Sequence, residues 1–391
     1  MNTIGIDKIG FYTPHYYLDL AVLAEARNVL AEKYHKGLGQ YQMAAVPPGE
    51  DIVTMAANAA LRVLDGVDIS TIDTVLFATE TGIDHSKSAG IFLHHLLQLP
   101  SSCRVVELKQ ACYSGTAALQ FAVSLVAQQP TRQVLVVSSD SAWYGFKSTG
   151  ESSQGGGAVA MLVKIEPRLL AIEPGAAYRT HDIMDFWRPN YAAVPFVEGK
   201  YSISVYLDLL KETWLAYRKQ TNRTFADHAY FCYHNSVPRL VEKSHKILAE
   251  SEGVHLNEAE LAQAIEPSLH YSRYVGNCYT ASLYIGLISL LDYVKKDLSQ
   301  QRIGFYSYGS GCVAEYFSGM VMPGYQQVLD TTYNQQLIEN RVGVDYATYE
   351  QFYSFPYPHE GELCVLPTEY NVGQFRLTKI EHHKRIYERV S

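Results

Sequence analysis

Short apolar runs alternate along this chain with longer segments of helical period. Ile4–Phe11 is predicted as a strand, Tyr12-Thr13-Pro14 as a turn and Ala21–Leu30 as a helix. Asp51 is placed to cap a helix running to Leu64, with Gly66 as its stop. Thr74–Thr79 is mostly apolar, as expected of a strand buried on both faces. A helical pattern from Lys87 to Leu99 ends at Pro100. The strand around Val105 follows, then a helix from Cys112 to about Gln129 and the strand Gln133–Val137. The strand Ala158–Val163 comes after the glycine run Gly155-Gly156-Gly157. Strands and helices at βαβ spacing predict an α/β layered fold with a largely parallel sheet.

The second half repeats the theme. Tyr201–Thr221, Pro238–Glu250 and Tyr279–Lys295 have helical period. His228–Tyr233 and Ile303–Ser307 are predicted strands, and Gly309–Phe317 is a glycine turn leading into another. Beyond Tyr325 the chain is tyrosine-rich, with Tyr333–Ser354 partly helical and Phe375–Ile380 a closing strand. The order of parts is the same in both halves. A strand ends in a polar residue (Glu80, His234). A second polar residue opens a later helix (Cys112, Asn277), and a glycine turn (Gly155, Gly309) precedes a strand. The spacing from Glu80 to Cys112 equals that from Asn277 to Gly309, and the spacing from Cys112 to Gly155 equals that from His234 to Asn277. Two units, 1–165 and 166–391, are therefore expected. Duplication would bring Glu80, Cys112, His234 and Asn277 to a shared centre.

Composition narrows the function. A formal charge of −8 over 391 residues, with no long Lys/Arg block, argues against nucleic acid. No run reaches the ~18 apolar residues that span a bilayer, and the start has no secretory pattern, so no membrane association and a cytoplasmic location are expected. The 6 cysteines form no CxxC pair, which fits a reducing compartment without disulfides or zinc. His94-His95 and His382-His383 are adjacent in sequence and share no helix face, so no metal site is expected. The glycine run lacks a nucleotide-binding frame, and no hydrolase elbow surrounds Ser310.

The polar set suits carbon–carbon condensation of thioesters. Cys112 sits at a strand-to-helix turn, where the helix N-terminus biases a thiol toward thiolate. It would accept an acyl group. Glu80 in an apolar pocket should have a raised pKa and could remove a proton from the acyl α-carbon. His234 would bind or protonate the carbonyl oxygen of a second substrate, and Asn277 would orient that group or the histidine. Ser310 lies in a turn able to aim backbone N–H groups at an oxyanion. Structural roles compete with each assignment. A free cysteine is usually a small buried hydrophobe, Glu80 could form a salt bridge, His234 could be a satisfied core histidine, and Asn277 could cap a helix.

The chain resembles the bacterial type of 3-hydroxy-3-methylglutaryl-CoA synthase. The resemblance runs from Ile4 to about Tyr387 and rests on Ile4–Pro14, Asp51–Thr54, Ala78–Glu80, Ala111–Tyr113, Asp185–Pro189, Arg273–Asn277, Tyr279-Thr280, Ser282–Tyr284 and Tyr308–Gly311. It implies a thiolase-like fold of two similar βαβαβαββ halves in an αβαβα arrangement, and a homodimer. It implies condensation of acetyl-CoA with acetoacetyl-CoA through an acetyl-Cys112 intermediate, in the mevalonate pathway, with coenzyme A thioesters as substrates and no separate cofactor. Cys112, Glu80 and His234 would be catalytic. Asn277, Ser310, Tyr113, Tyr144, Asp185, Lys243 and Arg239 would bind substrate, Lys243 at a coenzyme A phosphate. The chain departs from the family pattern in two places: Asn235-Ser236-Val237 replaces its x-Pro-Phe after the histidine, and Arg239 stands where a lysine is common. The stretch Lys109–Thr116 also looks like the polyketide β-branching relatives, which work on an acyl carrier protein. A decarboxylating ketoacyl synthase with a Cys-His-Asn set is a further alternative, against which Glu80 argues. A degenerate dimer partner without turnover is the non-enzyme reading.

Overall fold

A computed structural model describes residues 3–390. The first half runs β1 (Ile4–Tyr12), α1 (Ile52–Leu64), β2 (Ile72–Ala78), α2 (Ala89–Leu96), β3 (Arg104–Leu108), α3 (Ser114–Gln128), β4 (Gln133–Ser141) and β5 (Gly156–Ile165). The second half runs β6 (Leu170–Ile172), β7 (Ala177–Thr180), α4 (Gly199–Thr221), β8 (Tyr230–Tyr233), α5 (Pro238–Ser251), α6 (Glu258–Leu269), α7 (Ser272–Val275), α8 (Ser282–Tyr293), β9 (Arg302–Gly309) and β10 (Val313–Val321).

These strands form one ten-stranded sheet in the order β8-β9-β10-β6-β1-β5-β4-β2-β3, with β7 on β10. In the first half β2 pairs in parallel with β3 and β4, while β5 runs antiparallel to both β1 and β4. In the second, β8 pairs in parallel with β9, and β10 runs antiparallel to β9 and β6. The two units meet where β1 pairs antiparallel with β6 at Gly5–Ala171 and Ile6–Leu170. A Cβ at Gly5 would lie 2.0 Å from the Leu170 carbonyl oxygen, so only glycine permits this seam.

The layering follows from period-2 burial on both sheet faces. On β4, Val134 and Val136 face one cluster while Leu135 and Val137 face another. The first cluster holds α3 and α8 together between the two sheet regions. The second packs α1 and α2 outside β2, β4 and β5. A third packs α4, α5 and α6 outside β8, β9 and β10. Helices, sheet, helices, sheet and helices follow in turn. Asp51 caps α1 as expected, in a capping box with Thr54.

The expected largely parallel sheet is instead mixed, with six antiparallel and three parallel strand pairings. The reason is that hairpin-like returns (β9 to β10, and β5 beside β1 and β4) join the parallel βαβ units. The other differences from expectation are local. The helix predicted over Ala21–Leu30 spans only Leu20–Ala26. Tyr279–Ala281 is a 3₁₀ turn ahead of α8. Helix α6 falls in a stretch to which the pattern assigned no element, and it holds Pro267 near its end. The closing strand, Phe375–Glu381, pairs with Lys384–Arg389. The second unit follows the first in outline, with α6 added and one element replaced. Where β3 leads toward Cys112, the short helix α7 leads toward Asn277. No apolar β-branched run like Val105-Val106 precedes Asn277. Its approach instead carries Arg273, which bonds Glu266, Glu242 and the Gly39 carbonyl.

Candidate active site

The polar residues sit where parallel strands end, the usual place for a ligand crevice in α/β sheets. Glu80 follows β2, Cys112 follows β3, His234 follows β8 directly and Ser310 follows β9 directly. Ala111 adopts a left-handed φ of 45° to turn the chain into the half-buried Cys112. The Cys112 Sγ donates to Glu80 Oε2 at 3.1 Å. Burial, then the nearby Asp140 charge, pushes Glu80 up to about 8. Its bond from the thiol and the Arg188 charge oppose that rise.

The expectation of a thiolate is corrected here. Helix α3 begins at Ser114, two residues past the cysteine. Burial, followed by the charge of Glu80, pushes the Cys112 thiol well above its ordinary value. These effects outweigh the helix dipole, which acts only close to the first turn. The resting pair is a thiol donating to a carboxyl group.

Asp140, which the sequence reading passed over, organises this corner. It is fully buried, and its Oδ1 accepts from Thr79 Oγ1 (2.8 Å), Glu80 N (2.8 Å), Thr81 N (3.0 Å) and Thr81 Oγ1 (2.7 Å). Its Oδ2 accepts from Thr280 N at 3.0 Å and Thr280 Oγ1 at 2.5 Å, tying the Glu80 turn to the second unit. The available signal was its place at the end of the apolar run Val134–Val137, matching the place of Glu80. Arg188, also overlooked, donates to the Glu80 carbonyl at 2.8 Å.

Asn277 is buried and divided in its contacts. Its Oδ1 accepts from Tyr279 N (2.9 Å) and Ser282 Oγ (3.0 Å), a capping role. Its Nδ2 donates to the Tyr144 hydroxyl at 3.0 Å. Tyr144 in turn lies in the field of Cys112 and Glu80. Burial brings His234 down to about 4, so at neutral pH its ring is an uncharged imidazole. The His234 carbonyl accepts from Tyr206 Oη at 2.9 Å, and its N–H donates to Tyr306 O at 2.7 Å.

A cleft of about 960 Å³ opens beside Glu80 and is lined also by Ala111, Ser310, Gly311, Phe186 and Arg188. The Ser310 carbonyl accepts from Gln110 Nε2 at 3.1 Å, which joins the turn after β9 to the turn that carries Cys112. The Gly311 N–H donates to Asp185 Oδ1 at 2.8 Å, so that amide is held away from any oxyanion. Asp185 is fully buried, and its Oδ2 accepts from Tyr308 (2.6 Å) and Ser202 (3.0 Å). Its observed contacts therefore shape the Tyr308–Gly311 turn. Tyr113 also turns inward, donating to Glu315 Oε2 at 2.5 Å. Lys243 and Arg239 lie on the exposed side of α5. Arg239 bonds Glu242 there and donates to the Lys36 carbonyl at 2.7 Å. Among the described residues no cluster of three or more His, Cys, Asp or Glu side chains could hold a metal ion, and no helix is long and apolar enough to cross a membrane.

Family models for the hydroxymethylglutaryl-coenzyme A synthase N terminal and C terminal match residues 1–168 and 248–352. A hydroxymethylglutaryl-CoA synthase from Enterococcus faecalis is 44% identical over 90% of this chain and 92% of its own length. The chain belongs to the hydroxymethylglutaryl-CoA synthase family. A crystal structure of a synthase of this family complexed with CoA superposes with a TM-score of 0.93 at 39% identity, covering 99% of this chain and 100% of that one. The fold is thus thiolase-like. A polyketide biosynthesis 3-hydroxy-3-methylglutaryl-ACP synthase, PksG of Bacillus subtilis, is 32% identical over 90% of this chain and 88% of its own length.

Proposed function

We propose that this chain is a hydroxymethylglutaryl-CoA synthase condensing acetyl-CoA with acetoacetyl-CoA in the mevalonate pathway of isoprenoid biosynthesis. The observation that carries the reading is the 3.1 Å bond between Cys112 and Glu80, a nucleophile and a base of raised pKa at neighbouring strand ends. Cys112 Sγ attacks the acetyl carbonyl, and its thiol proton passes to the departing coenzyme A sulfur. Glu80, as a carboxylate, then removes a proton from the methyl group of acetyl-Cys112. The resulting carbon nucleophile attacks C3 of acetoacetyl-CoA. The neutral His234 ring donates to the ketone oxygen as that oxygen becomes an alkoxide and then a hydroxyl. Water then cleaves the Cys112 thioester and releases 3-hydroxy-3-methylglutaryl-CoA.

Asn277, Tyr144 and Ser310 hold the acceptor, Tyr113 and Asp185 brace the walls, and Lys243 with Arg239 meets the coenzyme A phosphates. The substrates are coenzyme A thioesters without a separate cofactor. Unit 1–165, carrying Glu80 and Cys112, and unit 166–391, carrying His234, Asn277 and Ser310, make up each chain of a cytoplasmic homodimer. The free edge of β3, with Val106 40% exposed, supports pairing of two copies.

A second reading has the acceptor on a carrier protein. It is favoured by the likeness to the polyketide relative and by Asn235-Ser236-Val237 beside His234. Intact mass spectrometry separates the two. Acetyl-CoA should add one acetyl group at Cys112, and free acetoacetyl-CoA should discharge it into product. An adduct that clears only with a carrier-bound acceptor moves the protein to the second reading.

A further inference from the structure

The segment between β4 and β5 carries Tyr144, and it is gripped from two sides. On the active-site side, Tyr144 Oη accepts from Asn277 Nδ2 at 3.0 Å, and Asn277 N donates to Ser153 O at 3.0 Å. On the far side stands Glu151, only 2% exposed. Its two oxygens accept from Arg27 Nε at 2.7 Å and Nη2 at 2.6 Å, a bidentate ion pair. Glu151 Oε2 also accepts from Lys147 N at 3.0 Å, and Oε1 accepts from Tyr349 Oη at 3.2 Å. Tyr349 Oη accepts from Gln154 Nε2 at 3.0 Å, and Gln154 Oε1 accepts from Tyr144 N at 2.9 Å. Arg27 Nη2 donates further to Tyr346 Oη at 2.6 Å. Direct hydrogen bonds join each residue to the next from Arg27 to Tyr144, entering at the Tyr144 N–H, and the Tyr144 side chain carries the path on to Asn277.

This arrangement gives the tyrosine-rich C-terminal region a task. Helix Tyr346–Tyr353 lies in the second unit, beyond the strands of its sheet, and Arg27 ends a helix of the first. Trp143 stacks on Tyr353 at 4.8 Å, and Phe146 packs edge-on against Tyr349 at 5.7 Å. The residues flanking Tyr144 are therefore fixed by aromatic contact while its backbone is fixed by Gln154. Gly276 allows the other approach. At its φ of +80° a Cβ would lie 1.9 Å from Gln154 O.

We infer that Arg27, Glu151 and Tyr349 are positioning residues for the acceptor step: they clamp the 142–155 segment so that the Tyr144 hydroxyl and the Asn277 amide meet the acceptor thioester together. The inference rests on the acceptor-side role proposed above for Tyr144 and Asn277. None of the three clamp residues contacts Cys112 or Glu80, so the clamp acts on condensation and not on acylation.

The test uses the full-length protein with acetyl-CoA and acetoacetyl-CoA, and the variants Tyr349→Phe, Arg27→Lys and Glu151→Gln. The first two keep most of the packing and protect the test from a folding failure in the third. Acetylation of Cys112, read by intact mass at short times, should match wild type. The KM for acetoacetyl-CoA should rise by about tenfold. Adding Tyr349→Phe to Tyr144→Phe should cost little more than Tyr144→Phe alone, since both act through one hydroxyl. Equal loss in acetylation and condensation, tracking a lower Tm, would overturn the clamp and leave a purely structural network. Full additivity of the two tyrosine changes would overturn it as well. An unchanged acceptor KM in Tyr144→Phe itself marks failure of the acceptor-side reading, and the clamp falls with it.

Discussion

The two units approach the active site by different means. In the first, β3 runs in parallel beside β2 and the chain bends through Ala111 to Cys112. Neighbouring strands then carry nucleophile and base at fixed spacing, and a 3.1 Å bond joins them. In the second, helix α7 takes the place of that strand, and Asn277 is reached through Gly276 at a φ of +80°. Its amide is set by loops, by Tyr144 and by the 3₁₀ turn that follows. A ladder of backbone hydrogen bonds delivers side chains with little freedom. A loop-built site depends on side-chain bonds from distant parts of the chain. On the proposed mechanism, the half that would make the covalent bond has the rigid support, and the half that would receive the second substrate has the adjustable one.

That comparison predicts separable losses. Cys112→Ser should have the largest effect: acyl-enzyme should be absent by intact mass and turnover down about 10⁴-fold or more. Burst acylation that survives in this variant would put the nucleophile elsewhere. Glu80→Ala should still accept acetyl while condensation falls about 10³-fold, as expected for loss of a general base. Normal condensation by that variant would break the division between the halves from the first side. His234→Ala breaks or sharpens it from the second. Condensation should fall about 10²-fold with acylation changed far less, and equal losses in the two half-reactions contradict an acceptor-side histidine.

Gly276→Ala should lower stability by about 1–3 kcal/mol, because the new Cβ meets the Gln154 carbonyl in a left-handed backbone. Thermal unfolding with acceptor KM would show whether strain at this loop reaches the acceptor while acylation stays normal. The smallest effects are in pH dependence. Condensation from a preformed acyl-enzyme should rise with pH through about 8, where Glu80 loses its proton. For stability the sign is opposite: the folded pKa of Glu80 lies above its unfolded value, so its contribution is present at acid pH and lost as pH rises through about 8. His234, held down to about 4, contributes stability that is lost as pH falls from about 6.5 toward 4. Unfolding of Glu80→Gln and His234→Gln across this range should show flatter profiles at the alkaline and acid ends respectively.

Much of this protein was legible in one dimension. Apolar runs such as Val134–Val137 are buried on both faces, so their period and length announce strands of a covered sheet. The matched order of polar strand ends and glycine turns announced the duplication, because a repeated unit repeats its local chemistry. Cys112, Glu80, His234 and Asn277 stood out for the same reason, each placed where a strand or helix begins or ends. Other features depended on groups far apart in sequence. The protonation of Cys112 depends on burial and on Glu80, neither visible at the cysteine itself. Asp140 matters because Thr79, Thr81 and Thr280 converge on it from both units. Asp185 and Tyr113 carry conspicuous polar groups, yet their partners Tyr308 and Glu315 turn them inward. Local pattern determines which elements form, since hydrogen bonding and burial period are short-range. Charge state and side-chain direction follow from desolvation and from partners that only the folded chain brings within bonding distance.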